Sequence, residues 1–494
     1  MSLASQLSRL AAPTTGGAHD AAQTRKKKNA RASVMYTPRE AADVSLDAIH
    51  EACLVGLDSL VGSVEAGAAI FERFSAPLFS PGARQINREL LGAEENAALD
   101  AELSAFMRAL SPYLLLRGAP PVLEYLVRRF ECHLYNVRAM LEMALPFHET
   151  PIFSRIVAIL ALDKDVRFNF LRRSQRSTAP LPRHVIVDAV TGNLALVDFV
   201  WAMAHGAAGG AGSSSRSSSA GTLAASGAAV KSTLTFCTLV LVEFLRRASS
   251  GAGGHGAGRV VRRVLPHVLG ACRSRRVPAL QAMGSMVAMQ LCRSFPVAPS
   301  VFASIATAVA ESLVVNTTHT SLSSSKKSKK SKKSKTFANQ PEPQKMMIAA
   351  APSALHNAVA CLACIFASCQ PHAAGAKGGL RLPEAVIDVF MCIGNRSAES
   401  GVDTVSDVLI RVFRSGKVSV VPMAGQLVLQ LAEALRAATQ NDARFGHVIK
   451  TITSALPCPH LVHPLLDCAS KASAESSAVL LDVARTLAAT YPDD

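Results

Sequence analysis

The chain has 494 residues, of which 49% are hydrophobic, 18% charged and 5% aromatic, and its formal net charge is +16. This length predicts roughly two to four domains or one repetitive array, and the apolar content excludes global disorder. The longest apolar run, which begins at Leu234, contains Glu243 and is shorter than the roughly 18 residues that a membrane span needs. The first residues do not form a signal peptide and the eleven cysteines show no disulfide-framework spacing, so we expect a reducing compartment.

Two clusters carry most of the positive charge. The first is Arg25, Lys26, Lys27 and Lys28, and the second is Lys326, Lys327, Lys329, Lys330, Lys332, Lys333 and Lys335. Removing these eleven residues from the formal +16 leaves +5 for the rest of the chain. Such runs repel themselves and bury nothing, so we expect both to be disordered and to act as RNA phosphate contacts or nuclear localisation signals. The alternative is a solvated segment that only keeps the chain soluble.

Composition shifts divide the chain into helical blocks and polar connections. We expect a disordered N-terminal tail over residues 1–36, a HEAT-like helical block over 37–205, a Gly/Ser linker over 206–228, helical repeats over 229–316, a Lys/Ser-rich disordered loop over 317–345 and helical repeats over 346–494.

The helical blocks show clear start signals and apolar stripes. Thr37 and Thr150 are each followed by a proline, which predicts a capping threonine and a proline in the first helical position. In `PPVLEYLVRRFECHL` the apolar residues share one face, while Glu124, Arg128 and Glu131 fall opposite. The spacing of Glu124 and Arg128 predicts an ion pair between successive helical turns.

Counting such segments gives about twenty helices of roughly 10–20 residues each, with almost no alternation typical of strands. Each apolar stripe must be buried against a neighbouring helix. Pairs of HEAT or armadillo type, at about 40–47 residues each, account for about nine or ten stacked units. The sequence therefore predicts an all-α fold: a HEAT/armadillo-like α-solenoid of stacked helical pairs with disordered basic and Gly/Ser insertions.

Motifs for catalysis or cofactor binding are weak. The glycines at 251–256 match G-x-G-x-x-G by letters, but a helical pattern precedes them and residues 270–290 contain no acidic residue for a ribose. Cys361, Cys364, Cys369 and His372 have zinc-like spacing, but on a helix they would share one face, so we favour core packing. We predict no catalytic residue, no metal, no cofactor and no enzymatic activity.

Arginines also occur in pairs near predicted helix ends. They could complement helix dipoles, or line a groove for phosphates or acidic partners, and the sequence leaves both readings open. The pairs are Arg128 with Arg129, Arg172 with Arg173, Arg246 with Arg247, Arg262 with Arg263, and Arg275 with Arg276.

The strings `SLASQLSRLAAP`, `FERFSAPLFS`, `LSPYLLLRGAPPVLEYLVRRFECHLYNV` and `LPFHETPIFSRIVAIL` occur in that order within roughly the first 200 residues. They resemble the N-terminal region of the HEAT-repeat U3 small nucleolar RNA-associated protein 10 family, also called HEAT repeat-containing protein 1. The resemblance assigns packing or interface positions but no catalytic residue to this chain. The positions we single out are Phe71, Phe74, Pro112, Tyr113, Tyr135, Pro146, His148, Pro151 and Phe153.

The resemblance implies a non-catalytic scaffold subunit of the nucleolar small-subunit (U3) processome, which supports pre-rRNA transcription and early processing toward 18S rRNA. It implies as partners the other subunits of the early 5′-spacer-binding subcomplex, the pre-rRNA 5′ external transcribed spacer and U3 snoRNA, with a location in the nucleus and nucleolus. Neither a membrane nor a small-molecule substrate is expected. The alternative is a HEAT/armadillo-type nuclear transport protein or protein–protein adaptor.

Overall fold

The structure is a computed structural model, and it describes residues 32–64, 67–209, 227–251, 256–274, 277–316, 345–347, 352–373, 380–391, 411, 421–437, 443–455 and 459–490. The chain divides into two compact units, one up to Phe244 and one from Leu245 onward. Helices make up almost all of the regular structure in these ranges. None of the helices within them is both long enough and apolar enough to cross a bilayer.

Unit 1 begins with short and long helices joined by 3-10 and π turns. Its α-helices are α1 (Glu40–Asp43), α2 (Leu46–Ser63), α3 (Gly67–Phe71), α4 (Ala93–Leu110), α5 (Ala119–Phe130), α6 (Cys132–Tyr135), α7 (Val137–Ala144), α8 (Pro151–Ile159), α9 (Arg172–Ser177), α10 (Arg183–Gly192) and α11 (Ala195–Ala207). The next helix, α12 (Gly227–Ser249), extends past Phe244.

Unit 2 contains longer helices and one small pair of strands. Its elements are α13 (Ala257–Cys272), α14 (Pro278–Ser294), α15 (Pro299–Leu313), β1 (Val314–Asn316), β2 (Lys345–Met347), α16 (Pro352–Ala373), α17 (Glu384–Met391), α18 (Val421–Ala437), α19 (Ala443–Ala455), α20 (Val462–Ser470) and α21 (Ala474–Thr490).

The helices of unit 2 pack on near neighbours in the chain. Helix α13 packs on α14 and α15, α14 on α16, α18 on α19 and α20, and α20 on α21. In a stacked array each element contacts only the elements next to it, which is the pattern of HEAT and armadillo repeats. The predicted all-α, HEAT/armadillo-like α-solenoid of stacked helical pairs is thus confirmed within the units, with the two three-residue strands as an addition.

An aromatic cluster fills the core of unit 1. Phe106 of α4 lies at its centre, with ring centroids 5.1 Å from Phe74, 5.2 Å from Phe79 and 6.0 Å from Phe71. Tyr125 of α5 extends the cluster, at 6.0 Å from Phe79. Tilted and edge-to-face contacts at these distances favour aromatic pairs beyond their burial of apolar area. The cluster joins α4 and α5 to the irregular segment that follows α3.

The apolar face predicted for residues 120–134 is confirmed as far as Phe130, whereas Leu134 is only half-buried and lies in the next helix, α6. Val122, Leu123, Leu126, Val127 and Phe130 are all buried. The helix ends after Phe130 because Glu131 adopts a left-handed conformation, with φ of 47°.

The opposite face of α5 does not point to solvent, and the predicted ion pair is wrong. Glu124 is 1% exposed, and its Oε2 accepts hydrogen bonds from Ser33 Oγ at 2.9 Å and Val34 N at 2.7 Å. Arg128 donates instead to the carbonyl oxygen of Ala41 at 2.8 Å. Residues 32–36, which the sequence places in the tail, therefore dock on α5.

The two threonine caps have different outcomes. Thr37 Oγ1 accepts from Glu40 N at 3.4 Å while Glu40 Oε2 accepts from Thr37 N at 3.0 Å, which is a reciprocal capping pair. Helix α1 begins only at Glu40, however, so the prediction that Pro38 takes its first position is wrong. Thr150 does precede α8, with Pro151 in the first position, but its hydroxyl donates to Phe147 O at 2.7 Å. The prediction that the Thr150 side chain caps this helix is wrong, because that hydroxyl closes the preceding turn.

A close backbone approach joins α2 to the start of α5. A Cβ atom on Gly56 would lie 2.7 Å from the carbonyl oxygen of Gly118, whereas a Cβ on Gly62, in the same helix, would meet nothing within 4 Å. A carbonyl oxygen cannot move aside as a flexible side chain can.

We predict that Gly56→Ala lowers the free energy of unfolding by about 1–3 kcal/mol, because the added methyl overpacks the α2–α5 contact. The matched variant Gly62→Ala should be neutral or stabilising by up to about 1 kcal/mol, because alanine lowers the conformational entropy of the unfolded chain. Denaturant unfolding of both variants measures the difference. Equal effects would contradict the close packing of α2 on α5.

Phe153 lies in α8 and is 0% exposed. We predict that Phe153→Ala lowers the free energy of unfolding by roughly 3–5 kcal/mol, because it leaves a cavity in the core of unit 1. Chemical denaturation measures the effect, and Pro151→Ala, at an exposed position of the same helix, is the control. A Phe153→Ala curve that matches the wild type would show that the side chain is not a core residue.

Candidate nucleic-acid interface

The lysine and arginine clusters predicted to contact RNA lie outside the described residues. This applies to Arg25–Lys28 and to the lysines from Lys326 to Lys335. Next to the second cluster, however, the structure describes both flanking segments. Asn316 of β1 and Lys345 of β2 are antiparallel partners. The two described residues that flank the lysine-containing segment, Asn316 and Lys345, therefore lie at adjacent positions of unit 2.

A second basic region lies in the described part of unit 1. Of its arginines, the pattern of paired arginines included only Arg172 and Arg173. Between Asp165 and Asp188 the chain has five arginines and no acidic residue. We call this region the arginine segment; its arginines are Arg167, Arg172, Arg173, Arg176 and Arg183. A charge count over windows of about 20 residues would have found it.

Only part of the arginine segment is neutralised within the fold. Arg167 forms an ion pair with Asp165 at 2.5 Å, and Arg172 pairs with Asp163 at 2.9 Å. Arg173, Arg176 and Arg183 are exposed and form no ion pair with any residue that the structure describes. Because guanidinium groups bind phosphates with two parallel hydrogen bonds, these three side chains can bind a polyanion.

An exposed tyrosine lies between two cations shortly before this segment in the chain. Tyr135 is 42% exposed, with Arg88 Cζ 4.8 Å and Lys164 Nζ 5.2 Å from its ring centroid. Arg88 is fixed by Asp100 at 2.6 Å and by Asn136 at 3.0 Å. The ring is therefore held on a surface by cation–π contacts rather than buried in the core.

The other family-like positions lie mostly within the core or in tight turns of unit 1. Phe71, Phe74 and Phe153 are fully buried. Pro112 and Tyr113 form the 3-10 turn after α4, and the Tyr113 ring lies 6.0 Å from Phe71. Pro146 sits in the 3-10 turn before α8, and Pro151 opens α8 at an exposed position.

His148 has the most specific contacts of this group. Its Nδ1 lies 2.6 Å from the carbonyl oxygen of Leu181, and its own carbonyl accepts from Leu181 N at 2.9 Å. Its ring packs 5.6 Å from Phe236. These bonds join the loop before α8 to the loop before α10, so His148 fixes these two backbone segments against each other.

The paired arginines do not behave as one class. Arg128 and Arg129 are half-buried and donate to the carbonyl oxygens of Ala41 and Ile86. Both therefore fix neighbouring backbone segments, a role that neither reading of the pairs had anticipated. Arg262 donates to Gly258 O at 3.1 Å on its own helix, and Arg275 and Arg276 lie outside the described residues.

The zinc-like cysteines are packed in unit 2. Cys361 is buried and its thiol contacts the carbonyl oxygen of Ser285 at 3.6 Å, while burial raises its pKa. Metal sites need deprotonated thiolates, which this environment disfavours. Across the described ranges no three His, Cys, Asp or Glu residues are placed to bind a metal ion. The side chain of His372 is outside the described residues.

Two buried titratable groups of unit 1, His133 and Cys53, act as neutral packing groups. Burial lowers the pKa of His133 to about 4, so the ring is uncharged at neutral pH. Burial likewise raises the pKa of Cys53 to about 12. For the nucleotide motif, residues 252–255 are outside the described residues, and helix α12 rather than a strand precedes them.

No family model matches the chain. It is 37% identical over 199 residues to "HEAT repeat-containing protein 1 homolog" of Drosophila melanogaster. It is 35% identical over 200 residues to "HEAT repeat-containing protein 1" of Homo sapiens. Each match covers 40% of this chain and 9% of the relative. It is 32% identical over 191 residues to "U3 small nucleolar RNA-associated protein 10" of Neurospora crassa, covering 38% of this chain and 10% of that relative. The matched part thus spans about a tenth of these relatives, and the chain has homologues under both names of the family that its sequence resembles.

Proposed function

We propose that this chain is a non-catalytic scaffold subunit of the nucleolar small-subunit (U3) processome, which supports pre-rRNA transcription and early processing toward 18S rRNA. The observation that carries the proposal is its similarity to a protein named for association with U3 small nucleolar RNA. None of the three relatives' names states a catalytic activity. The stacked helices and the exposed arginines fit a protein that binds large partners through extended surfaces.

Two kinds of contact would contribute to binding. Helix faces and the exposed family-like positions, Tyr135 and Pro151, would contact other subunits of the early 5′-spacer-binding subcomplex. The two basic clusters and the arginine segment would contact phosphates of the 5′ external transcribed spacer or of U3 snoRNA without reading sequence. We propose further that the first cluster lies in the N-terminal tail and the second in a loop between helical blocks, so that both reach RNA without disturbing the fold. We also propose that the protein resides in the nucleolus.

Tagged purification from the native organism, followed by crosslinking and RNA sequencing, tests the proposal. We expect U3 RNA, 5′ spacer RNA and processome proteins to be recovered together. Recovery of a protein partner alone, with binding insensitive to salt, would instead support the transport or adaptor function. Recovery of none of these RNAs and proteins would contradict the proposal.

We predict that deleting residues 326–335 weakens binding to 5′ spacer RNA and leaves helicity and the melting temperature unchanged, because the deletion removes seven lysines and no helix that the structure describes. The slope of log affinity against log salt should fall in magnitude by about 0.7 for each lost contact with single-stranded RNA. Replacing the seven lysines with arginine is the charge-matched control and should retain affinity. Loss of helicity on deletion would contradict the linker assignment.

We predict that Arg173→Glu combined with Arg176→Glu also weakens RNA binding, because it reverses two exposed charges of the arginine segment. The charge-matched control is Arg39→Glu combined with Arg117→Glu, at two exposed positions of unit 1 outside the arginine segment. Fluorescence anisotropy at two salt concentrations measures the affinities. An equal effect of the control would show that only net charge matters, and unchanged binding of the double variant would exclude the segment as an RNA contact.

A further inference from the structure

Ser33 is held against a buried carboxylate in unit 1. Its hydroxyl donates to Glu124 Oε2 at 2.9 Å, and the same oxygen accepts from Val34 N at 2.7 Å and Met35 N at 3.2 Å. Ser33 is 9% exposed and Glu124 is 1% exposed. One carboxylate oxygen thus fixes three consecutive residues, and hydrogen bonds to a charged acceptor are among the strongest that proteins form.

The hydroxyl of Ser33 also organises the following turn. Its Oγ accepts from Tyr36 N at 2.8 Å and from Met35 N at 3.2 Å. On the outer side, Arg155 Nη1 lies 3.3 Å from Met35 O and 3.4 Å from Val34 O. The docked conformation of residues 33–36, which we call the docking segment, therefore depends on a neutral hydroxyl at position 33.

The residues that precede Ser33 are basic. Arg31 is two positions before it, and Lys26, Lys27 and Lys28 are five to seven positions before it, while a valine follows. Protein kinases with acidic substrate grooves select serines preceded by basic residues, because the opposite charges pair in the complex. The sequence around Ser33 thus has the chemistry of a substrate for such a kinase.

We propose that Ser33 is a phosphorylation site for a basic-directed serine kinase, and that its modification releases the docking segment from Glu124. The Oγ atom attacks the γ-phosphorus of a nucleoside triphosphate, an O–P bond forms, and the bond to the bridging oxygen of the β-phosphate breaks. The hydroxyl proton passes to the base of the kinase, and a nucleoside diphosphate leaves.

Release follows from charge and solvation. The modified residue has no hydroxyl proton to donate, and a phosphate carrying nearly two negative charges would face the Glu124 carboxylate in a site shielded from water. Two like charges in such a site strongly destabilise each other. Two neighbouring cations already bind backbone carbonyls: Arg128 binds Ala41 O, and Arg155 binds Val34 O and Met35 O. Neither would compensate the repulsion without giving up these bonds.

The kinase needs Ser33 in the undocked conformation. Residues 33–36 lie outside the helices. Such segments open locally at lower free energy than core helices, so the undocked state is accessible without global unfolding. Phosphorylation in that state prevents redocking and shifts the population toward release. The inference does not depend on RNA binding, so it can fail or succeed independently of the proposed function.

The full chain is incubated with a basic-directed kinase and ATP, and the modified residues are identified by mass spectrometry. We expect Ser33 to be modified and Arg31→Ala to reduce the modification. Ser45 is the matched control, because it is exposed and follows an acidic residue at position 43 rather than basic ones. Failure to modify Ser33 under conditions that modify other serines of the chain would overturn the proposal.

Hydrogen exchange of the phosphorylated protein tests the release. The amides of Val34, Met35 and Tyr36 should exchange at least about tenfold faster, as expected for loss of hydrogen bonds to charged acceptors, while α8 and the helices of unit 2 stay protected. Ser33→Asp should reproduce the effect. Ser45→Asp should not, because Ser45 caps α2 by accepting from Ala48 N at 3.2 Å, and aspartate caps a helix equally well. Unchanged or increased protection of these amides in phosphorylated protein would contradict the proposal, since it would mean that Arg155 or Arg128 binds the phosphate.

Discussion

The structure depends on the burial of apolar stripes between helices that are close in the chain. The described part of each unit has no large sheet on which the helices could pack, because its only strands are three residues long. Each helix of unit 2 is therefore stabilised by the helices one to three positions away, as α14 is by α13 and α16. A fold built in this way leaves long helix faces for partners.

The predicted stripes proved reliable because periodicity is a local property of the sequence. The buried face of α5 and the start of α8 at Pro151 follow directly from residue spacing. What the spacing could not show is where polar groups find partners. Glu124 binds a serine hydroxyl and backbone amides about 90 residues earlier in the chain, and backbone amides carry no side-chain signal. The sequence alone thus misplaced Glu124 on the solvent face.

In the candidate interface, too, the sequence shows the charged residues but not their partners in the fold. The basic clusters are evident from composition, since seven of the ten residues from 326 to 335 are lysine. The arginine segment is more diluted, and its significance depends on which charges are neutralised within the fold. Only the structure separates Arg172, paired with Asp163, from its exposed neighbour Arg173. Phosphate contacts need positive charge rather than a specific pocket, so these charges fit the RNA contacts that we propose.

The nearest-neighbour character of the packing is the central physical claim, and hydrogen exchange of one core variant tests it most directly. Leu291 is fully buried in α14, so Leu291→Ala should destabilise its surroundings by about 2–5 kcal/mol. The account predicts that amide protection falls in α13, α14 and α16 and is retained in α20 and α21 of the same unit. An equal loss of protection in all helices of unit 2 would contradict it, because that result would show a single cooperative core rather than a stack.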